Sequence, residues 1–323
     1  MTEPAPDGPL LTLPPGGRLP DRCFWLETPD RMNLRAAIWH APDPAGHVLF
    51  LTGRTEFVEK VAIPAEELVL RGYSVVSLDW RGQGLSSRLL PDPLKGHIDR
   101  FDAFQVDLDT LLGSADVASL PGPRVLIAHS MGGCIAAHAL QRPEIASGIS
   151  ATILSAPMFG IRMASAMRAA AGATALIARF LGKLDRWPPF GDQATPYVLS
   201  GDAKNVLTGD PQVWEWMGNF ARDHPEATIA GPTIGWYQAA SRAMDALETA
   251  RPPDHPVLTL LGSDEMVVDP DRIRTRAASL SSKIVEIGVG RHELLIDAEA
   301  PRKAAWLAID DFLRSSGLST SGG

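Results

Sequence analysis

The chain has 323 residues, 45% of them hydrophobic, with 30 basic and 38 acidic side chains and a formal net charge of −8. That length holds one large folded unit with an insertion or second lobe. The acidic balance, with no concentrated lysine or arginine face, excludes nucleic acid as a ligand and argues against firm binding to anionic lipid. Two cysteines, Cys23 and Cys134, exclude a disulfide framework and suit a cytoplasmic setting.

Residues 1–20 are rich in proline and glycine and lack a charged stretch followed by an apolar one, so a disordered tail is expected there and not a signal peptide. Short apolar runs predict strands near 23–28, 34–40, 47–52, 74–79, 123–128, 150–155, 256–261 and 284–287. Helical spacing fills the gaps: 62–71 ends at Gly72, 101–112 follows Asp99, 130–142 stops before Pro143, and 302–314 follows Pro301. This alternation predicts a doubly wound, mostly parallel eight-stranded α/β sheet built from residues 21–157 and 251–316.

Residues 158–250 break the alternation and read as a helical cap inserted between the sixth and seventh strands, with a second disordered tail expected over 317–323. The cap is aromatic, and Trp214, Trp236 and Tyr237 are candidates to line an apolar substrate pocket. Its longest apolar stretch, Ile161 to Leu184, is interrupted by Arg162, Arg168 and Arg179, which excludes a membrane span. Gly172 and the alanine-rich middle predict packing inside the lid, with an interfacial role as the alternative.

Several strand exits carry chemistry. The third strand ends at Gly53-Arg54, where glycine lets backbone approach a ligand closely. The fourth leads into Asp79-Trp80-Arg81-Gly82-Gln83-Gly84-Leu85-Ser86, which is no dinucleotide fingerprint because Ser87 stands where the third glycine belongs. The fifth runs into Ala128-His129-Ser130-Met131-Gly132, a sharp turn whose small flanking residues project a serine oxygen. The seventh ends at Gly262-Ser263-Asp264-Glu265, and the eighth leads through Gly288 and Gly290 to Arg291-His292. Serine elbow, carboxylate and histidine in that order fit an α/β-hydrolase, with Ser130 as nucleophile and His292 as base. In such a fold the backbone N–H groups of Arg54 and Met131 form the oxyanion hole.

Gly53 to Lys60, the loop from Asp79 to Ser86, Lys95-Gly96-His97-Ile98-Asp99, the Ser130 elbow and Arg291-His292-Glu293-Leu294-Leu295 together resemble the lysophospholipase L2 and monoacylglycerol lipase family of α/β-hydrolases, over roughly residues 22 to 315. The resemblance implies a serine esterase acting on single-chain lipid esters through an acyl-enzyme. Strand length alone leaves Asp264 and Glu265 both open as the orienting carboxylate. The family pattern after that strand, G-S-x-acid-x-V-V-D, implies Glu265, with Asp264 the alternative, while Asp269 before Pro270 reads as a helix cap.

No cofactor is implied. His292-Glu293-Leu294-Leu295-Ile296 begins like a zinc-binding helix motif but has Ile296 where the second histidine belongs, so no metal is expected either. His129 is expected to bond locally, and His97 and Asp99 to tie loops. A lipid ester is the expected partner, with transient contact between the cap and a membrane surface placing the protein peripherally. The rival readings are an acyltransferase using the same triad and a noncatalytic ligand-binding protein of this fold.

Overall fold

The computed structural model describes residues 5–189, 193–200 and 204–318. These residues form one eight-stranded sheet from β1 (Arg22–Glu27), β2 (Asn33–Trp39), β3 (Gly46–Leu51), β4 (Tyr73–Leu78), β5 (Arg124–His129), β6 (Ala151–Ser155), β7 (Val257–Gly262) and β8 (Lys283–Ile287). The order across the sheet is β1-β2-β4-β3-β5-β6-β7-β8. β2 pairs antiparallel with both β1 and β4, and every later pairing is parallel. Central strands are buried on both faces, which is why they read as continuous apolar runs.

Helices cover each face. α1 (Val58–Leu70) and α10 (Glu299–Ser315) pack with Val48, Phe50, Val125 and Ile127. On the other face α2 (Ala103–Gly113), α3 (Ala115–Ala118), α4 (Met131–Ala139) and α9 (Pro270–Ser279) share a core with Leu49, Leu51, Leu126 and Ala128. Alternate residues of β3 and β5 thus enter different cores, as a two-residue repeat requires. The short α5 (Pro143–Ala146) connects α4 to β6.

α1 begins four residues before the expected Ala62. Its N-cap position, Phe57, has no capping side chain; instead Asp79 Oδ1 accepts the Val58 N–H at 2.8 Å. A carboxylate from the β4 exit supplies what the local sequence lacks.

The tail expected to be disordered is ordered over residues 5–20. Gly8 N donates to Cys23 O at 2.8 Å, Trp25 N to Pro6 O at 2.9 Å, and Arg18 N to Ala62 O at 2.9 Å, while Leu10 and Leu13 pack on the α1/α10 core. The cause is a buried charge cluster that composition does not reveal. Arg35 binds both oxygens of Glu59 at 2.8 Å and Asp79 Oδ2 at 2.8 Å, all three side chains fully buried. The tail completes the cluster: Leu11 N donates to Glu59 Oε1 at 2.8 Å and Pro9 O accepts from Arg35 Nη1 at 3.1 Å. At the other end Leu318 packs on the same core. Residues 1–4 and 319–323 of the two expected tails lie outside the described residues.

Between β6 and β7 the chain runs through α6 (Ser165–Phe180), α7 (Pro211–Asp223) and α8 (Ile234–Ala246). α7 joins the core through Val213, Trp216, Met217 and Phe220 against Phe57, Ile63 and Ile296. α8 joins it through Trp236, Ala239, Ala240 and Ala243. α6 departs from expectation: it buries only Ala175 and Ala178, against Ile234, and leaves Phe180 90%, Leu176 70% and Ile177 60% exposed. Alanine supplies the close contact, so the larger apolar side chains turn outward. Among the described residues no helix is long and apolar enough to cross a membrane.

Candidate active site

Ser130 stands between β5 and α4 with φ 49° and ψ −116°, a conformation disfavoured for a residue with a side chain. Such a turn persists only where its surroundings leave no alternative. A Cβ on Gly132 would lie 2.3 Å from Leu51 O, and one on Gly53 would lie 3.1 Å from the Ser130 Cβ. The small residues read in the sequence are therefore what lets the elbow sit against β3.

The turn directs Ser130 Oγ to 3.0 Å from His292 Nε2. His292 Nδ1 lies 2.8 Å from Glu265 Oε2, so the ring donates to the carboxylate and accepts from the hydroxyl. The other oxygen of Glu265 accepts from Val267 N at 2.7 Å and Val268 N at 3.1 Å. Burial pushes the Glu265 carboxyl up, but His292 and the two amides outweigh it and hold it below the usual carboxylate range. Asp264 is exposed and bonded to Ser263, and Asp269 caps α9 by accepting from Asp271 N and Arg272 N at 3.1 and 3.2 Å. Of the three acids, only Glu265 meets His292.

The amides of Arg54 and Met131 make no hydrogen bond among the described residues, whereas the flanking Gly53 and Thr55 amides are bound to Glu56 and Gln83. Of the aromatic candidates, Trp236 faces this loop, with the Arg54 guanidinium 5.2 Å from its ring. Tyr237 bonds to Met163, and Trp214 packs edge-on against Tyr197. His97 lies 2.7 Å from Thr233 and 3.1 Å from Asp99, tying the loop before α2 to the insert.

The profile of the family described as "Serine aminopeptidase, S33" matches residues 42–299. The chain belongs to that family. It is 33% identical over 290 residues to lysophospholipase L2 of Escherichia coli (strain K12), covering 82% of this chain and 79% of that protein. It is also 27% identical over 289 residues to a probable lysophospholipase L2 of Haemophilus influenzae, covering 88% and 90%. A solved structure of a soluble variant of monoglyceride lipase from Saccharomyces cerevisiae, in complex with a substrate analog, superposes with a TM-score of 0.70 at 18% identity, covering 92% and 97%. The α/β-hydrolase fold and the kinship with lysophospholipase L2 expected from the motifs both hold.

In this family member a second buried group that sequence reading missed lies beside the Ser130–His292–Glu265 series. Lys60 Nζ donates to Glu56 Oε1 at 2.6 Å and to Glu293 Oε1 at 2.5 Å. His129 Nδ1 lies 3.1 Å from Ser155 O and its Nε2 3.3 Å from Glu293 Oε2, so both ring nitrogens face acceptors. Its ring centroid is 4.7 Å from that of His292. Ligand atoms of Glu56, His129 and Glu293 lie within 4.8 Å of one another, a spacing suited to a metal, but the Lys60 ammonium already stands between the two carboxylates. Two anions face two cations. The group joins the loop after β3, the turn at Ser130 and the residue after His292.

Burial alone would lower the His129 pKa, yet Glu293 and Glu56 raise it to about 9. The folded value thus exceeds the ~6.5 of a free imidazole, so the stability His129 contributes is fully present below that value and is lost as pH rises through about 9. Denaturant unfolding of wild type should show stability declining across that window, and His129→Asn should flatten the slope whatever its effect on the intercept. Parallel profiles would show that His129 is neutral in the folded protein.

Proposed function

We propose that the protein is a serine carboxylic-ester hydrolase acting on single-chain lipid esters, lysophospholipid or monoacylglycerol, through an acyl-enzyme on Ser130. The observation that carries this reading is the continuous hydrogen-bonded series Ser130–His292–Glu265 at three strand exits. The names of the relatives agree with it. As Ser130 Oγ attacks the ester carbonyl, His292 Nε2 takes its proton and Glu265 stabilises the imidazolium. The tetrahedral oxyanion accepts from the amides of Arg54 and Met131. Collapse expels the alcohol, protonated by His292, and water activated by the same nitrogen releases the acid.

Residues 158–250 act as the cap over this site, and Trp236 is the aromatic candidate best placed to meet substrate. The exposed face of α6 is the part of the cap that meets a membrane. Residues 158–184 carry Arg162, Arg168, Arg179 and Lys183 and no acid, a local cationic balance opposite to the chain's overall charge. Apolar side chains beside arginines suit an interfacial helix. A protein with two buried, unpaired cysteines, at the cytoplasmic face of a membrane, fits this reading.

One hydrolysis panel tests both points. Lysophospholipid and monoacylglycerol should be cleaved faster than long triacylglycerol, because one chain fills a capped pocket that cannot bury three. Free acid, not acyl transfer to an added alcohol, should be the main product. Phe180→Glu should lower turnover of vesicle-presented ester about tenfold more than that of a soluble ester. Preference for triacylglycerol would refute the substrate class, and equal losses on both presentations would refute the membrane role of α6.

A further inference from the structure

We propose that the Arg54 side chain is an anion site that takes the phosphodiester of a lysophospholipid, separating that class from monoacylglycerols. The proposal rests on the ester-hydrolase reading. It concerns the side chain of a residue whose amide is the expected oxyanion donor.

Arg54 follows Gly53, which abuts Ser130, and its guanidinium lies where the core meets the insert. One Nη2 N–H donates to Ala230 O, and Cζ lies over the Trp236 ring, 5.2 Å from its centroid. A Cβ on Gly96 would come within 2.3 Å of Nη2, so glycine there makes room for the group. Nε is buried and has no partner among the described residues. A guanidinium offers five donors, and a single bond uses one of them.

Among the described residues no carboxylate answers this charge. Glu56 is committed to Gly53 N and Lys60, Asp79 to Arg35 and the Val58 and Leu85 amides, and Asp99 to His97. The buried Arg35 and Arg81 are satisfied by carboxylates: Arg35 faces Glu59 and Asp79, and Arg81 faces Asp30 and Asp107, while the buried Arg276 donates to Ser279. Arg88 lacks a carboxylate but donates to the carbonyls of Ser86, Pro93 and Glu226. Arg54 alone among these keeps a buried donor idle, and burial with no opposing anion draws its pKa down to about 10. A desolvated cation without an anionic partner is unfavourable unless a ligand supplies the anion.

The ligand must bring a negative charge close to a carbonyl held at Ser130. A monoacylglycerol presents only hydroxyls there. In a lysophospholipid the phosphate lies one glycerol backbone from the scissile ester, and a guanidinium matches phosphate oxygens with paired donors. The cation–π contact with Trp236 holds the guanidinium without consuming those donors.

The test compares a lysophospholipid and a monoacylglycerol bearing the same acyl chain, in mixed micelles, for wild type, Arg54→Met and Arg54→Lys. Loosening the loop or the Ala230 contact affects both substrates and cancels in their ratio. The kcat/KM ratio of lysophospholipid to monoacylglycerol should fall roughly ten- to a hundredfold in Arg54→Met and recover in part in Arg54→Lys. An unchanged ratio overturns the proposal.

Binding to Ser130→Ala reads the same contact without turnover. An ether-linked lysophospholipid should bind at least about tenfold more tightly than its phosphate-free alkylglycerol, and adding Arg54→Met should erase the difference. Equal binding of the two ethers overturns the headgroup assignment. So does tight, Arg54-dependent binding of inorganic phosphate alone, which would mark a site for free phosphate. A wild type inert toward every ester would defeat the hydrolase reading, and the binding arms would still decide the Arg54 proposal.

Discussion

Ser130→Ala should lose about 10⁴- to 10⁶-fold in ester turnover and all labelling by a fluorophosphonate probe, with a melting temperature close to that of wild type. The reason is geometric. Ser130 Oγ lies 3.0 Å from His292 Nε2, and the elbow that places it is fixed by backbone contacts to β3 that alanine leaves in place. His292→Ala should fall to a similar residual rate, because members of one proton-transfer series do not contribute additively. A Ser130→Ala protein that still took up the probe would remove Ser130 from the reaction.

The carboxylate offers the second large effect. Glu265→Gln should lower kcat by about 10³- to 10⁴-fold, since an amide can present its N–H to His292 Nδ1 and favour the wrong tautomer. The two backbone amides that hold the other oxygen would still find an acceptor, so the loop should stay folded. Asp264→Asn, at an exposed position, should stay within about twofold of wild type. Reversal of these two results would transfer the orienting role to Asp264. Glutamate is one methylene longer than the more usual aspartate, and the Val267 and Val268 amides answer that length by drawing one oxygen back while the other faces the ring.

Ser130 and His292 were legible locally, whereas the strand exit left Asp264 and Glu265 both open and only the family pattern favoured Glu265. Ser130 lies between small residues at a strand exit, and His292 and Glu265 follow strands in the order that the fold demands. The buried group beside them was not legible. Glu56 and Lys60, His129, and Glu293 come from three separate stretches, and a charged side chain carries no local mark of being buried. Only Glu56 and Lys60, four apart on one side of the chain, hinted at pairing. The α6 surface misled for a different reason: an alanine-rich helix with a central glycine looks built for burial, whereas its alanines make one narrow contact and its bulky residues do not. The start of α1 and the ordered tail were hidden because their partners, Asp79 and the Arg35–Glu59 pair, are supplied from elsewhere in the chain.

That ordered tail separates two boundaries that are commonly equated. The family profile begins at residue 42, yet the guanidinium and carboxylate at the heart of the sheet draw a carbonyl from Pro9 and an amide from Leu11. Removal of those groups would leave desolvated charges short of partners rather than merely shorten a frayed end. The family profile and the folded unit therefore differ in extent, and trimming the chain to that profile alone would cut through the electrostatics of the interior.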